Sequence, residues 1–452
     1  MQKLQTSTLL KKKFTFNILD SIEVQMEVSE NPYSLPVEDL FTMAARINKK
    51  RSFLFVSKVL GKHLPIDANK GLLAAALLAA RYLESVKGVK CPETPHILAA
   101  FIRNEPLSGS TFIPSSINPI VIGFAETATA LGHAFFDSFQ SVNFFHTTRE
   151  ILVSREPEIT FEEEHSHATS HRCYIPKAMI QNKREIILVD DEMTTGKTAL
   201  NIIQSIQSHF PRKIYTVVSI LDWRSDEDKM KFTQLEKELG ITIRTVSLLA
   251  GRVEVKQLRE VHKKNRGNEW ENHLTTSKEF IQLGPFFSSS NYQTSRNMAC
   301  FIQETGRFGI TSNDKQINQL KISEAALFLR QQRIGGKTLC LGTGEFMYIP
   351  MKLAAEMGPD VSYQSTTRSP IHIENKQGYG VRFGFSFPAP EDPEITHFVY
   401  NIPPFEYDEV FVFFEREVES RHLQPIITEL EKLQIKSIKL IFFSAKRGEC
   451  NE

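Results

Sequence analysis

The sequence is poor in the features that mark secreted, membrane-bound and nucleic-acid-binding proteins. Its 452 residues contain only five cysteines and no Cys-x-x-Cys pair, so neither a disulfide framework nor a zinc ribbon is predicted. No apolar run approaches the roughly 20 residues of a membrane-spanning helix, and the N-terminal stretch MQKLQTSTLLKKKF lacks the apolar core of a signal peptide. Lysine and arginine (54) balance aspartate and glutamate (53), which leaves no net field for nucleic acid. We therefore expect a cytoplasmic protein that acts on small molecules.

The length and the changes of composition along the chain predict two domains. A chain of 452 residues with 41% hydrophobic and 24% charged residues is typical of a globular protein with two or three domains. Residues 251–295 are first highly charged and then serine-rich, which is typical of a linker. We predict one domain at residues 1–250, this linker, and a second domain at residues 296–452.

The most informative stretch is residues 184–198, REIILVDDEMTTGKT. The unbroken apolar run at 186–189 predicts a parallel strand buried on both faces. Asp190 and Asp191 follow it directly. The threonine-rich turn then enters a helix whose predicted apolar stripe comprises Ala199, Ile202, Ile203, Ile206 and Phe210. The segment therefore predicts a strand, an acidic pair, a hydroxyl-rich turn and a helix.

This order of groups suits a ribose that carries a 5′-phosphate. The backbone N–H groups of the turn, its threonine hydroxyls and the helix N-terminus form an anion cradle, and Gly196 permits close backbone approach. The two carboxylates can accept hydrogen bonds from vicinal hydroxyls and favour positive charge that develops on the sugar ring. A nucleoside-triphosphate P-loop is disfavoured because Asp191 replaces a glycine that this motif requires. A purely structural strand, turn and helix is the alternative.

The segment closely resembles the phosphoribosyl-pyrophosphate (PRPP) motif of type I phosphoribosyltransferases. The resemblance implies an α/β fold, a doubly wound parallel sheet with a hood, in a homodimer. It implies transfer of 5-phosphoribosyl from PRPP, bound with Mg²⁺, to a nitrogen of a small base-like acceptor. It assigns the catalytic acids Asp190 and Asp191 to the ribose hydroxyls. It assigns the 5′-phosphate to the loop residues Thr194, Thr195, Gly196, Lys197 and Thr198.

A second strand, loop and helix occupies residues 119–139. Its loop, 123–129, consists mostly of small and hydroxyl residues that suit an anion, and the resemblance implies that it holds pyrophosphate. Glu126 departs from the small or basic residues expected there, and Mg²⁺ binding is an alternative role for it. The next predicted strand leads to Arg149, which the resemblance places on the pyrophosphate, with a surface salt bridge as the alternative. The candidate loop residues are Gly123, Ala125, Glu126 and Thr127.

A predicted strand in residues 52–65 has the position of the hood that covers the base in orotate-type enzymes of this family. A helix-like segment at 37–47 precedes it. We interpret Lys58 and Lys62 as a cationic lip over the substrate, although lysines at the end of a strand are usually solvated. Trp223, which follows a later strand, either stacks on a base or caps the sheet.

Residues 158–172 contain the run FEEEHSHATSHR between the predicted pyrophosphate strand and the PRPP strand. The resembled family places a mobile loop here, so we favour a lid that shields the reacting centre from water, with His165 and His167 among the catalytic residues. His-x-His spacing also suits a metal ion, and a solvated loop is the third interpretation.

The second domain repeats landmarks of the first at a constant spacing. Gly342, Glu345 and Arg368 each lie 219 residues after Gly123, Glu126 and Arg149. This predicts a second α/β domain that is a degenerate copy of the first, because no counterpart of the threonine cradle follows its acidic position. Its turn, with Gly342, Gly344 and Glu345, is predicted to lie beside Arg368 and to bind an anion weakly.

Residues 296–452 contain the short sequence motifs RFG, GTGEF and TTRSPI. Through these motifs they resemble the TRSP domain found after phosphoribosyltransferases of this type. Families of this pair resemble those encoded beside tellurium-resistance and stress-response genes, which implies synthesis of a nucleotide-like metabolite. We predict a PRPP-dependent phosphoribosyltransferase. The alternative is a regulator or scaffold that senses PRPP or a nucleotide without turning it over.

Overall fold

The computed structural model describes residues 12–47, 52–106, 109, 111–162, 170–261 and 275–444. Within these ranges the chain is an α/β protein with two sheets whose central strands are parallel, which confirms the predicted fold class. No helix in the described ranges has the length and apolar character needed to cross a membrane.

The strands and helices alternate along most of the chain. The strands are β1 (Lys12–Ile18), β2 (Ile22–Glu30), β3 (Phe41–Ala45), β4 (Phe53–Ser57), β5 (Ile120–Gly123), β6 (Asn143–His146), β7 (Ile159–Glu162), β8 (Ser170–Cys173), β9 (Ile186–Met193), β10 (Ile214–Asp222), β11 (Thr242–Gln257), β12 (Ser277–Gln282), β13 (Ile310–Thr311), β14 (Thr338–Gly342), β15 (Val361–Ser365), β16 (Gly384–Pro388), β17 (Thr396–Tyr400), β18 (Glu409–Phe414) and β19 (Ser437–Phe442). The helices are α1 (Val37–Leu40), α2 (Ala68–Ser85), α3 (Thr94–Arg103), α4 (Ala128–Phe136), α5 (Lys177–Ile180), α6 (Lys197–His209), α7 (Asp226–Leu239), α8 (Lys315–Gln331), α9 (Tyr348–Glu356) and α10 (Ser420–Glu431), with a 3₁₀ turn at Gly284–Phe286.

The first sheet has the order β1-β2-β11-β10-β9-β5-β6-β13. Its five central strands, from β11 to β6, are parallel, and β1, β2 and β13 pair antiparallel at the edges. Successive residues of β9 enter different apolar clusters: Ile187 and Val189 lie in one, Ile186 and Leu188 in the other. The sheet is therefore buried on both faces, as the unbroken apolar run predicts.

The second sheet is fully parallel, with the order β12-β19-β18-β14-β15. One face packs on α10 through Leu423, Ile426 and Leu430. The other face packs on α8 and α9, and its residues belong to the same apolar cluster as α2 and α4 of the first domain. The two domains consequently share one continuous core.

The two sheets repeat the same local plan. Gly123 ends β5 between His146 of β6 and Val189 of β9. Gly342 ends β14 in the same way, between Ser365 of β15 and Phe413 of β18. The equal spacing seen in the sequence therefore corresponds to equal positions in two parallel sheets.

The copies face each other through equivalent helices. Helix α4 packs against α9, and the rings of His133 and Tyr348 stack with centroids 3.6 Å apart. The Thr129 hydroxyl donates a hydrogen bond to the Glu345 carbonyl oxygen at 3.1 Å. Each domain therefore presents to the other the helix that follows its own glycine loop.

Several expectations need correction. The helix predicted at 37–47 is a short helix, Val37–Leu40, followed by strand β3. Residues 251–295 are not a linker throughout, because β11 continues to Gln257 and Ser277–Gln282 forms an edge strand of the second sheet. Cys300 is disulfide-bonded, which the scattered cysteines did not indicate.

Candidate active site

A cavity of about 380 Å³ opens at the carboxyl ends of β5, β9 and β10. Parallel sheets commonly bind ligands at this edge, because loops from neighbouring strands converge there. The β3–β4 hairpin covers one side of the cavity, and residues 367–370 of the second domain cover another. Among the residues predicted for the site, the cavity brings together Lys62, Ala125, Glu126, Thr127, Arg149, Asp190, Asp191, Thr194, Thr195, Gly196, Lys197, Thr198 and Arg368.

The two acids lie within the last part of β9 and not beyond it, since the strand continues to Met193. Both are half-buried and line the cavity. The ammonium of Lys62 lies 3.4 Å from Asp191 Oδ2. Burial opposes the charge on Asp191, but Lys62 and the hydrogen bonding of Asp190 hold its pKa below the ordinary value. Asp191 is therefore an ionised acceptor poised at the cavity wall.

The threonine loop forms a tight turn into α6. Gly196 has φ of 73°, in the left-handed region that glycine adopts without strain. A Cβ at this position would lie 2.6 Å from the Phe232 ring, so only glycine allows the backbone to pack this closely against that ring. The Thr195 hydroxyl oxygen accepts a hydrogen bond from the Lys197 backbone N–H at 3.3 Å. The N-terminus of this 13-residue helix thus faces the cavity and favours an anion.

The glycine loop after β5 meets the second domain inside the cavity. Gly123 does not itself line the cavity. A Cβ on this residue would come within 2.5 Å of the Ala128 carbonyl oxygen. Glu126, which is largely buried, pairs with Arg368 at 3.2 Å. Arg149 also lines the cavity, and its backbone N–H donates a hydrogen bond to Glu345 at 2.8 Å. Cations from both domains therefore reach the end of the cavity that holds Glu126.

The hood differs from expectation in two residues. Lys58 does not line the cavity, and its backbone N–H donates a hydrogen bond to Leu40. Trp223 is buried behind the hood and stacks on Phe55 with ring centroids 5.4 Å apart. Trp223 therefore supports the cavity wall that Phe55 forms and is not itself placed to stack on a ligand. This contact was not predictable from local sequence because Phe55 and Trp223 are far apart in the chain.

The lining also includes residues that were not among the predicted site residues, for example Arg46, His63, Ser369 and Pro370. His63 lies within the predicted hood segment, residues 52–65, although only Lys58 and Lys62 were assigned to the substrate lip. Arg368 was predicted from the repeat, because it is the counterpart of Arg149 in the second domain. The side chain of Arg368 reaches Glu126 of the first domain, and its predicted place beside the turn at 342–346 stays a prediction.

The remaining candidates lie elsewhere. His165 and His167 fall outside the described residues; the flanking strands β7 and β8 form an antiparallel hairpin. His171, on β8, is buried and shares a hydrogen bond of 2.8 Å with the Thr147 hydroxyl. Whether this segment is a lid stays a prediction.

The corresponding position in the second domain is filled by protein charges. Arg307 donates to both carboxylate oxygens of Glu415 at 2.7 Å, and it lies 3.3 Å from Glu345. Burial opposes the charge of Glu345, but the adjacent Arg307 guanidinium lowers its pKa to about 2. The Gly344 N–H donates to the Thr366 hydroxyl at 3.0 Å. The Glu345 carboxylate is therefore held by Thr148, the Arg149 N–H and Arg307, and weak anion binding by the turn with Gly342 and Gly344 stays a prediction.

The donor groups fit Mg²⁺ only together with a ligand. In the described ranges, no group of three or more histidine, cysteine, aspartate or glutamate residues is arranged to hold a metal ion. Mg²⁺ commonly binds through one or two carboxylates and several phosphate or water oxygens. Asp190 and Asp191 can supply such carboxylates, while Glu126 is engaged by Arg368.

Comparisons with known proteins match two separate parts of the chain. Residues 40–252 match the family model PRTase_2, described as phosphoribosyl transferase, and residues 304–430 match the TRSP domain, described as C-terminal to PRTase_2. No curated protein matches this sequence. The first match contains the acids, the threonine loop and the hood, and the second match follows it along the chain.

Solved structures show more distant likeness. Adenine phosphoribosyl transferase from Trypanosoma brucei, solved with AMP, pyrophosphate and ribose-5-phosphate, is 12% identical with a TM-score of 0.30, over 52% of this chain and 86% of that chain. The enzyme from Saccharomyces cerevisiae is 12% identical with a TM-score of 0.30, over 47% and 97%. Orotate phosphoribosyltransferase from Aeropyrum pernix is 16% identical with a TM-score of 0.17, over 29% and 59%.

Proposed function

We propose that this chain is a PRPP-dependent phosphoribosyltransferase that transfers 5-phosphoribosyl to a nitrogen of a small base-like acceptor. The observation that carries the proposal is the joint location of two half-buried acids, a helix N-terminus with a threonine loop, and several cations in one cavity. A sugar that carries phosphate at one end and diphosphate at the other matches this arrangement. The matches to a phosphoribosyl transferase family model support it.

The charges of the cavity are divided in the way that PRPP requires. The threonine loop and α6 favour the 5′-phosphate, and Asp190 and Asp191 favour the ribose hydroxyls. The diphosphate would lie against the loop that contains Glu126, where Arg149 and Arg368 supply positive charge. The cations that line the cavity are Arg46, Lys62, Arg149, Lys197 and Arg368.

In the proposed reaction the acceptor nitrogen attacks C1′ while the C1′–oxygen bond to pyrophosphate breaks. Pyrophosphate leaves with the bonding electron pair, C1′ inverts, and the proton of the acceptor passes to solvent. Asp190 and Asp191 would stabilise the positive charge that develops on the ribose ring. Mg²⁺, when bound with PRPP, would neutralise charge on the leaving diphosphate. Positioning and electrostatics supply most of the rate, with no covalent intermediate.

Isotope-labelled PRPP, Mg²⁺ and cell extract provide a test that does not require the acceptor to be known. We expect a labelled product and pyrophosphate with the native protein. The change of Asp190 and Asp191 together to asparagine should lower product formation by roughly 10²-fold, the scale of one preorganised electrostatic group. Asp226→Asn, an exposed acid on α7, is the control. PRPP binding without product would instead support the sensor or scaffold.

The finer expectations are also proposals. Synthesis of a nucleotide-like metabolite in a tellurium-resistance or stress-response setting rests on the resemblance of the two-domain arrangement. The homodimer rests on the same resemblance, and sedimentation at several protein concentrations tests it. A cytoplasmic location is tested by fractionation.

A further inference from the structure

A buried threonine and a buried histidine support the glycine loop at the end of the cavity that holds Glu126. The Thr147 hydroxyl accepts a hydrogen bond from the Ala125 backbone N–H at 2.9 Å and shares another, of 2.8 Å, with His171 Nδ1. Thr147 and His171 are 0% and 1% exposed, and neither lines the cavity. Ala125 does line it, so His171 is linked to the cavity through the Thr147 hydroxyl and the loop.

Both neighbours of this hydroxyl are fixed in place. A threonine hydroxyl has one proton and two lone pairs, so it can hold an N–H and an imidazole nitrogen at once. The His171 ring stacks on Phe161 within the β7–β8 hairpin, with ring centroids 5.0 Å apart. Arg172, the next residue, exchanges two backbone hydrogen bonds with Thr148, at 2.8 and 2.9 Å. The imidazole therefore holds the hydroxyl, and with it the Ala125 N–H, in one orientation.

The second domain contains the same chain of hydrogen bonds. The Gly344 N–H donates to the Thr366 hydroxyl at 3.0 Å, and this hydroxyl shares a hydrogen bond of 3.1 Å with His397 Nδ1. His397 lies on the second strand of the β16–β17 hairpin, as His171 lies on the second strand of β7–β8. The support thus belongs to the plan that the two domains share, which allows the two loops to be compared.

The loops differ in the N–H groups that follow the supported one. In the second domain the Phe346 N–H donates to the Thr343 carbonyl oxygen at 3.0 Å, so that turn is closed by its own backbone. In the first domain the backbone N–H groups of Glu126 and Thr127 make no hydrogen bond to the described residues, and both residues line the cavity. The first loop therefore keeps N–H groups for an anion where the second loop uses its own.

We propose that His171 is a positioning residue for the diphosphate of PRPP, a role that rests on the proposed phosphoribosyltransferase function. Through the Thr147 hydroxyl it fixes the Ala125 N–H, and the next N–H groups, at the start of α4, are then presented to the diphosphate. Without the imidazole nitrogen the hydroxyl can rotate, and the Ala125 N–H has no fixed acceptor. The diphosphate end of the cavity should suffer, whereas the threonine loop at the 5′-phosphate end should not.

Three variants and one control test this role. His171→Phe keeps a ring against Phe161 but has no nitrogen, and His171→Asn keeps a hydrogen-bonding amide close to the position of Nδ1. Thr147→Val removes the hydroxyl and keeps the branched shape. Thr216→Val is the matched control, because Thr216 is also 0% exposed, lies outside the cavity and donates its hydroxyl to Glu185 at 2.6 Å.

Calorimetry with PRPP and Mg²⁺, pyrophosphate and Mg²⁺, and ribose 5-phosphate separates the two ends of the cavity, since ribose 5-phosphate has no diphosphate. We expect His171→Phe and Thr147→Val each to weaken PRPP and pyrophosphate binding about tenfold, the scale of one hydrogen bond to a charged group, with ribose 5-phosphate binding within about twofold of native. His171→Asn should recover most of the affinity, and Thr216→Val should bind all three ligands normally. The double variant of His171 and Thr147 should be no weaker than either single variant, because both act through one hydroxyl.

Normal PRPP and pyrophosphate affinity in His171→Phe and Thr147→Val would overturn the positioning role. Equal weakening of all three ligands would also overturn it, because that result would show a general loosening of the fold. If His171→Phe does not fold, Thr147→Val decides on the same terms. Native protein that binds neither PRPP nor pyrophosphate would, in contrast, refute the proposed transferase function, and with it the role given to His171.

Discussion

Glu126 of the first domain and Arg368 of the second form an ion pair, with Oε1 and Nε 3.2 Å apart, inside the candidate active site. The pair crosses the boundary between the two copies of the fold. Its counterpart in the opposite direction is the Arg149 backbone N–H, which donates to Glu345. The acid of each glycine loop is thus engaged by the Thr-Thr-Arg segment of the other domain. Both partners of the first contact line the cavity, whereas only Arg149 of the second contact does.

Arg368→Met should weaken PRPP binding by about tenfold or more, because a charged hydrogen bond contributes roughly 1.5–3 kcal/mol. The Glu126 carboxylate, left without its cation, would also repel the diphosphate. Titration with Mg-PRPP measures the effect, and Arg382→Met, an exposed arginine of the second domain, is the control. The double variant with Glu126→Gln should recover part of the affinity. Unaltered affinity in Arg368→Met would exclude a role for this residue at the diphosphate.

Gly196→Ala should lower both the unfolding temperature and the affinity for PRPP. Alanine at φ of 73° costs roughly 1–2 kcal/mol, and its Cβ would meet the Phe232 ring at 2.6 Å. Gly240→Ala is a matched control, since φ is 60° there but no atom comes nearer than 4.0 Å. We expect the control to show the backbone cost alone and normal PRPP binding. Equal losses in the two variants would argue against crowding at the threonine loop.

Stability should fall as pH rises through neutrality because of Glu150. Burial raises its pKa to about 7; Arg416 opposes the rise, and the neighbouring Glu345 and Glu391 carboxylates favour it. The folded protein therefore holds this proton more tightly than the unfolded chain, whose glutamate has a pKa near 4.5. The stability from this group is complete below pH 4.5 and is lost as pH passes about 7.

Glu150→Gln should remove that part of the pH dependence. The unfolding temperature of the variant, relative to native protein, should increase between about pH 5 and pH 8. Thermal unfolding at matched ionic strength measures this, with Glu238→Gln, an exposed glutamate, as the control. A constant difference across that range would show that Glu150 does not titrate near neutrality.

Local order made the central part of the site predictable. The apolar run at 186–189, the acids Asp190 and Asp191, and the glycine before α6 are consecutive in sequence, so strand, wall and cradle follow from short-range preferences. The repeat was also predictable. Gly342 follows Gly123 by the same 219 residues that separate the other landmarks of the two domains, although the second domain has lost the threonine cradle.

Long-range packing explains what was missed. Residues 41–45 were assigned to a helix, but they pair with β4 in the hood, and tertiary pairing outweighs a weak local preference. The charged segment after β11 contains β12 because the parallel sheet offers an edge to pair with β19. The structural role of Trp223 depends on its stacking contact with Phe55, which is distant in sequence.

The shared core between the copies has a consequence for assembly. Helices α4 and α9 meet within one polypeptide, so residues 367–370 of the second domain are present in a one-to-one ratio with the rest of the cavity. Their local concentration at the cavity therefore does not depend on the protein concentration. A pocket completed by a separate chain would open on dilution. This one stays closed within a single chain. The described part of each chain carries one such cradle, so saturation of independent sites by ligand should follow a simple hyperbola.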